Sequence, residues 1–317
     1  MQPTQHLLLT GATGFFGKAL LRHWAENAPD FEITALSRNP EAFVRKYPAL
    51  ASQSWLQWHA GDIMNPDSLP QTKFSDVLHA AADSTLGPRL TPLQRYDQII
   101  NGTRHLLDLA VRCQARRFLF TSSGAVYGNQ PDQIKHMPEN WQGMPDPLNP
   151  AVAYGVAKRA AEHLCSLYHN AYGLETIIAR CFSFVGPDLP LDVHFAIGNF
   201  IRDALTRDAI TVSGDGSPVR SYLDQRDLAH WLDCLLRQGR AGQAYNVGSD
   251  QAICIADLAN LVRDTLAPEK KVCILGAGDA CQHRNLYVPN IRKARNELGL
   301  RVTIPLREAI AHTAGPN

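Results

Sequence analysis

The chain has 317 residues, 45% of them apolar and 19% charged, with a formal net charge of +1. That length suits two domains, or one large α/β domain with an appendage, and the apolar content is too high for a disordered chain. The near-neutral balance argues against broad nucleic-acid binding, which needs a basic face, and no apolar run approaches the roughly 18 residues of a membrane helix. Met1 to Thr10 lack a basic stretch leading into a long apolar core, so no signal peptide is expected. Seven cysteines, at 113, 165, 181, 234, 254, 273 and 281, form no C-x-x-C. Odd in number and widely spaced, they argue against a disulfide framework or zinc site and for reduced thiols in a cytoplasmic protein. Histidines 136, 163, 169 and 194 show no ligand spacing, so no metal is expected.

In chain order, His6 to Thr10 reads as a buried strand, and Gly14 to Asn27 carries helical periodicity through Phe16, Leu20 and Trp24. Strands are predicted at Phe31–Leu36, Trp55–Trp58, Asp76–Ala80, Arg117–Thr121 and Glu175–Ala179. Long helices are predicted at Pro92–Cys113 and at Tyr154–Tyr172, the latter closed by Gly173. Such alternation implies a doubly wound parallel sheet with helices on both faces. Beyond residue 180 prolines and glycines become frequent, and short strands are predicted at Ile210–Val212 and Ala244–Val247. The expected division is a dinucleotide-binding domain over 1–180, to which 219–250 returns. A smaller domain, over 181–218 and 251–317, would bind substrate. The proline-rich loop 130–150 has no role that the sequence identifies.

Thr10-Gly11-Ala-Thr-Gly14-Phe-Phe-Gly17 lies between the first strand and first helix. Glycines there permit a tight turn and let backbone N–H groups reach a pyrophosphate, so a dinucleotide cofactor is predicted. A carboxylate at the end of the second strand would hold the ribose hydroxyls of NAD. This chain has Ser37-Arg38 instead, which suits a 2′-phosphate, so NADP is expected, with NAD as the alternative. Asp62, in Gly61-Asp62-Ile63, is placed to accept from the adenine amino group.

Tyr154-Gly-Val-Ala-Lys158 sets a phenol and an ammonium one helical turn apart on one face. A phenol is a poor base near neutrality, and a neighbouring cation favours its phenolate. Upstream, Thr121-Ser122-Ser123 ends the fifth strand with hydroxyls suited to hold a substrate oxygen.

Thr10–Gly17, His79-Ala-Ala-Ala82, Asn101-Gly-Thr103, Ser123 with Val126-Tyr-Gly128, and the Tyr154/Lys158 pair together resemble the extended short-chain dehydrogenases/reductases. The similarity runs on through Arg180–Pro187, Gly214-Asp-Gly216, Arg220-Ser-Tyr222, Asp227-Leu-Ala229 and Tyr245-Asn-Val-Gly248. It covers nearly the whole chain and points to the nucleotide-sugar epimerase/dehydratase branch. The resemblance implies a Rossmann-like fold and a catalytic set of Ser123, Tyr154 and Lys158. Tyr154 would exchange a proton with the sugar oxygen, Lys158 would bind nicotinamide ribose, and Ser123 would orient the substrate. It also implies cofactor contacts from Gly11, Thr13, Gly14, Phe15, Phe16, Gly17, Ser37, Arg38, Asp62, Ile63, Ala80, Ala81, Ala82 and Asn101. Substrate contacts are implied at Ser123, Tyr154, Ser183, Asn199, Arg220 and Arg284, the two arginines on a nucleotide diphosphate. Helices carrying Ile99, Leu107, Ala160 and Leu167 on more than one face are expected to pair in a homodimer.

Departures from the family narrow the reaction. Gly124 and Ala125 stand where its 4,6-dehydratases carry Asp-Glu, so dehydration is not expected. Ser183 stands where an Asn is common, and Ser37-Arg38 departs from the Asp of its epimerases. The leading expectation is an enzyme that uses NADPH to reduce C4 of a nucleotide-linked 4-keto-6-deoxy sugar. The alternatives are an NAD-dependent C4 epimerase, a reductase of non-sugar ketones, and a cofactor-sensing binding protein without catalysis.

Overall fold

The computed structural model describes residues 5–82, 90–276 and 285–315. The elements run β1 (His6–Thr10), α1 (Phe15–Asn27), β2 (Glu32–Ser37), α2 (Pro40–Lys46), α3 (Pro48–Ala51), β3 (Leu56–Ala60), β4 (Asp76–His79), α4 (Pro92–Arg112), β5 (Arg117–Ser123), α5 (Ala153–Tyr172) and β6 (Glu175–Cys181). There follow β7 (Phe184–Val185), α6 (Ala196–Thr206), β8 (Ala209–Val212), β9 (Val219–Arg220), β10 (Leu223–Asp224), α7 (Gln225–Gln238) and β11 (Gln243–Val247). The last are β12 (Ile253–Cys254), α8 (Ile255–Leu266), β13 (Lys271–Ile274), β14 (Leu286–Tyr287), α9 (Arg292–Leu298) and α10 (Leu306–Ala314).

A seven-stranded sheet takes the order β11-β6-β5-β4-β1-β2-β3, and β1 pairs in parallel with both β2 and β4. The fold is therefore doubly wound and Rossmann-like. Its strands read as apolar runs because helices cover both faces, and Leu7, Leu8 and Leu9 are all buried. The strand order reverses between β1 and β4, which opens a ligand crevice at their carboxyl ends. Leu8, Val77, Phe118 and Phe120 from the strands, with Leu106, Leu107 and Ala161 from α4 and α5, form the core beside it. Pro92 and a Thr91/Gln94 capping box start α4, and Gly173 in the left-handed region ends α5.

The first compact unit comprises Met1–Val126, Met144–Arg180 and Ala229–Tyr245. The second comprises Tyr127–Gly143, Cys181–Leu228 and Asn246–Asn317. The second unit holds the parallel pairs β7–β10 and β8–β13, and a small sheet with β9 between β12 and β14. Tyr127–Gly143 fell within the first domain on sequence, but it clusters with the second unit. The Met137 N–H donates to the Val288 carbonyl oxygen, and the Met137 carbonyl oxygen accepts from the Asn290 N–H. Asn246 anchors that unit from a fully buried position. Its Oδ1 accepts from the Tyr127 hydroxyl, and its Nδ2 donates to the carbonyl oxygens of Met137 and Asn290. The helices of the second half went unnamed on sequence, although α6, α7 and α8 are continuous helices of 11, 14 and 12 residues.

Candidate active site

The loops after β1 and β4 meet at the reversal point. Gly11 has φ +74°, and a Cβ there would lie 2.5 Å from the Ala80 carbonyl oxygen, so only glycine fits. The Ala80 N–H donates to the Thr10 carbonyl oxygen at 3.2 Å, and the Ala81 N–H to Thr10 Oγ1 at 3.3 Å. Helix α1 then starts at Phe15, with Gly14 as its cap, no side chain capping it and no acidic residue in its first turn. Its leading N–H groups and positive dipole end therefore favour an anion. A dinucleotide pyrophosphate fits this cradle.

Beneath the cradle, His79 is buried. Its Nδ1 lies 2.9 Å from Thr10 Oγ1 and its Nε2 lies 3.2 Å from Thr103 Oγ1. Burial, helped by the Lys158 charge, pushes the imidazole pKa down to about 3, so the ring is neutral. At the end of β3 the Asp62 carboxylate accepts from the Met64 N–H, and Ile63 packs into the notch left by Gly102. Asn101 is exposed on α4. The helical period turns it to the solvent side of α4, opposite the buried Ile99, Gly102, Thr103 and Leu106. After β2, Ser37 Oγ accepts from the Asn39 N–H, Asn39 caps α2, and Arg38 is exposed. No carboxylate stands at 37–39.

Lys158 is 2% exposed, and its Nζ donates to the Thr121 carbonyl oxygen at 2.8 Å. That ammonium lies 6.0 Å from the centre of the Tyr154 ring and 4.5 Å from that of Phe120. Ser123 is buried at the end of β5, its Oγ accepting from the Ala125 N–H. Gly155 brings the start of α5 against that strand end, since a Cβ there would sit 2.7 Å from the Ala125 carbonyl oxygen. Gly124 and Ala125 bring no acid or base.

Sequence reasoning missed two features. One turn beyond Lys158, Glu162 accepts from Ser122 Oγ at 2.6 Å and pairs with Arg180 at 2.7 Å. The pair ties α5 to β5 and β6, and its only sequence signal was the i, i+4 spacing from Lys158. The other is Arg95, on the first turn of α4, whose guanidinium lies 5.8 Å from the Tyr154 ring centre.

In the second unit Arg220 Nη1 donates to the carbonyl oxygens of Val219 and Asn285, and its guanidinium lies 5.9 Å from the Tyr287 ring centre. Burial lowers its pKa, and no carboxylate pairs with it among the described residues. A desolvated guanidinium without a counter-ion suits an anionic ligand. Asn199 Oδ1 accepts from Arg202, and the Ser183 carbonyl oxygen accepts from the Leu223 N–H. Arg284 lies outside the described residues. Among the described residues no group of three metal-ligating side chains forms, and no helix is long and apolar enough to cross a membrane.

Comparison with known proteins agrees with this geometry. UDP-glucuronic acid decarboxylase 3 of Arabidopsis thaliana is 28% identical over 98% of this chain and 88% of its own length. UDP-glucuronic acid decarboxylase 1 of the same plant is 30% identical over 96% and 68%. Among solved structures, the UDP-glucose 4-epimerase of Thermotoga maritima, with UDP-glucose, superposes at TM-score 0.82 and 21% identity. It covers 98% of this chain and 97% of that one. The UDP-glucuronic acid 4-epimerase of Bacillus cereus, in complex with NAD, gives 0.81 and 23% over 98% and 97%. The profile of the NAD dependent epimerase/dehydratase family matches residues 7–248. With its glycine cradle at the strand reversal and its Tyr154/Lys158 pair, the chain belongs to that family.

Proposed function

We propose that the protein oxidises and re-reduces C4 of a nucleotide-linked sugar, with the cofactor kept in place between the two steps. The observation that carries this reading is the buried Lys158 ammonium beside the Tyr154 ring. A nicotinamide dinucleotide bound at the cradle supplies the hydride acceptor and donor. Tyr154, as phenolate, takes the proton from the C4 hydroxyl and returns it when the ketone is reduced. Lys158 favours that phenolate and holds the nicotinamide ribose, while Ser123 donates to the C4 oxygen and fixes its direction. Arg220 pairs with the substrate diphosphate. Gly124 and Ala125 have no side chain that could abstract a proton or protonate a leaving hydroxyl, so water elimination is not part of the cycle.

The relatives named above are decarboxylases and epimerases, and one neighbour is an NAD complex. They support NAD over the NADP expected from sequence. The NADPH-dependent 4-ketoreductase remains the second reading, because no carboxylate follows β2 and Arg38 stands there. One experiment separates them. Purified protein is incubated with UDP-hexoses and no added cofactor, and products are read by NMR. Conversion at C4 supports the first reading. Inert protein that oxidises added NADPH with a 4-keto sugar supports the second, and Ser37→Asp with Arg38→Ala should then shift preference to NADH.

A further inference from the structure

Two cations approach the Tyr154 ring. Lys158 approaches within α5 and has two tasks in the cycle proposed above, to favour the phenolate and to hold the nicotinamide ribose. Arg95 approaches from the first turn of α4, its Cζ 5.8 Å from the same ring centre, and it is only partly buried. Its charge, like that of Lys158, favours the phenolate, but that leaves its fork of donors without an assigned partner. No carboxylate pairs with it among the described residues, and Asp97, two residues on, projects from a different side of the helix.

A guanidinium is a planar fork that matches a carboxylate in two parallel hydrogen bonds. Its place beside the reacting phenol selects which carboxylate. When the C4 oxygen rests on Tyr154, the neighbouring ring carbon C5 carries the C6 group, and in a hexuronate that group is a carboxylate. We infer that Arg95 is a specificity-determining residue that receives this carboxylate, so that the preferred substrate is a nucleotide-linked uronic acid. The inference rests on the C4 reading above. The fold alone does not decide the matter, since one neighbour was solved with UDP-glucose and the curated relatives bear the name of UDP-glucuronic acid. A cation beside the Tyr154 ring is placed to make the distinction, and Arg95 is such a residue.

The test measures Kd and kcat/KM for UDP-glucuronate and for UDP-glucose, which differ at C6 alone. Wild-type protein should favour the uronate. Arg95→Gln should lose roughly 10- to 100-fold more on the uronate than on the neutral sugar, the range of a charge-assisted hydrogen bond. Arg95→Lys keeps the charge without the fork and should recover part of the loss, which also covers the case of a poorly folded glutamine variant. Turnover of UDP-glucose without preference for the uronate, or equal losses on both sugars, overturns the inference and leaves the C4 reading standing. Arg95-dependent preference in binding without C4 turnover of either sugar supports the inference and removes the reading.

Discussion

At the scale of single residues, the phenol and its neighbours carry the sharpest expectations. Tyr154→Phe keeps the ring and its packing but removes the proton carrier, so turnover should fall by roughly 10²–10⁴-fold with folding intact. Steady-state rates with circular dichroism check this, and near-normal turnover would refute the assignment. Arg220→Gln removes a partly buried cation that no carboxylate pairs with among the described residues, so KM for the nucleotide sugar should rise while kcat holds. A kcat loss at constant KM would place Arg220 outside diphosphate binding. His79 gives a pH signature. Folding holds its pKa at about 3, against 6.5 when exposed, so the unfolded chain binds more protons between those values. The neutral ring's contribution is present above pH 6.5 and is lost as pH falls toward 3. Urea denaturation at pH 7.5 and pH 5.0 should therefore show a larger drop for wild type than for His79→Gln. Equal drops would mean that the imidazole charges without cost.

The element scale shows what could be read from sequence and what could not. The cradle was legible because its glycines stand at a fixed strand–helix junction, and Tyr154 and Lys158 because one helical turn separates them. Asn101 was read from a motif match, which does not show how rotation about α4 places its exposed side chain. Arg95 was invisible for a different reason, since it meets Tyr154 across two helices 59 residues apart, and the Glu162–Arg180 pair shows only once α5 packs on β6. Gly155 joins the two levels: adding a side chain forces α5 away from the end of β5. Gly155→Val should destabilise by about 1–3 kcal/mol, as overpacking does, and lower activity further than the stability loss explains. Unchanged activity would show that the contact does not position Tyr154. Ile99 and Leu107 are buried in the core, whereas Leu167 on α5 is 49% and Leu93 on α4 70% exposed. We propose that these outer faces of α4 and α5 meet a second copy about a two-fold axis. Light scattering at micromolar concentration should report a dimer, and Leu167→Glu should yield a monomer; a wild-type monomer would end the proposal.

For the molecule as a whole, the cofactor should be a stability term. A ligand present at 100 times its Kd adds about 2.7 kcal/mol to the folded state. Thermal melts with NAD and with NADP then rank the two cofactors without any substrate, the larger shift marking the one the cradle prefers. The sheet itself has one further property. Its outermost strand, β11, follows the whole stretch from Cys181 to Leu228, which belongs to the other unit. A ribosome making this protein therefore exposes the bare edge of β6 throughout that interval of synthesis. Unpaired strand edges invite association with neighbouring nascent chains, so yield in the cell should respond to translation speed and chaperone supply more than a domain of this size suggests.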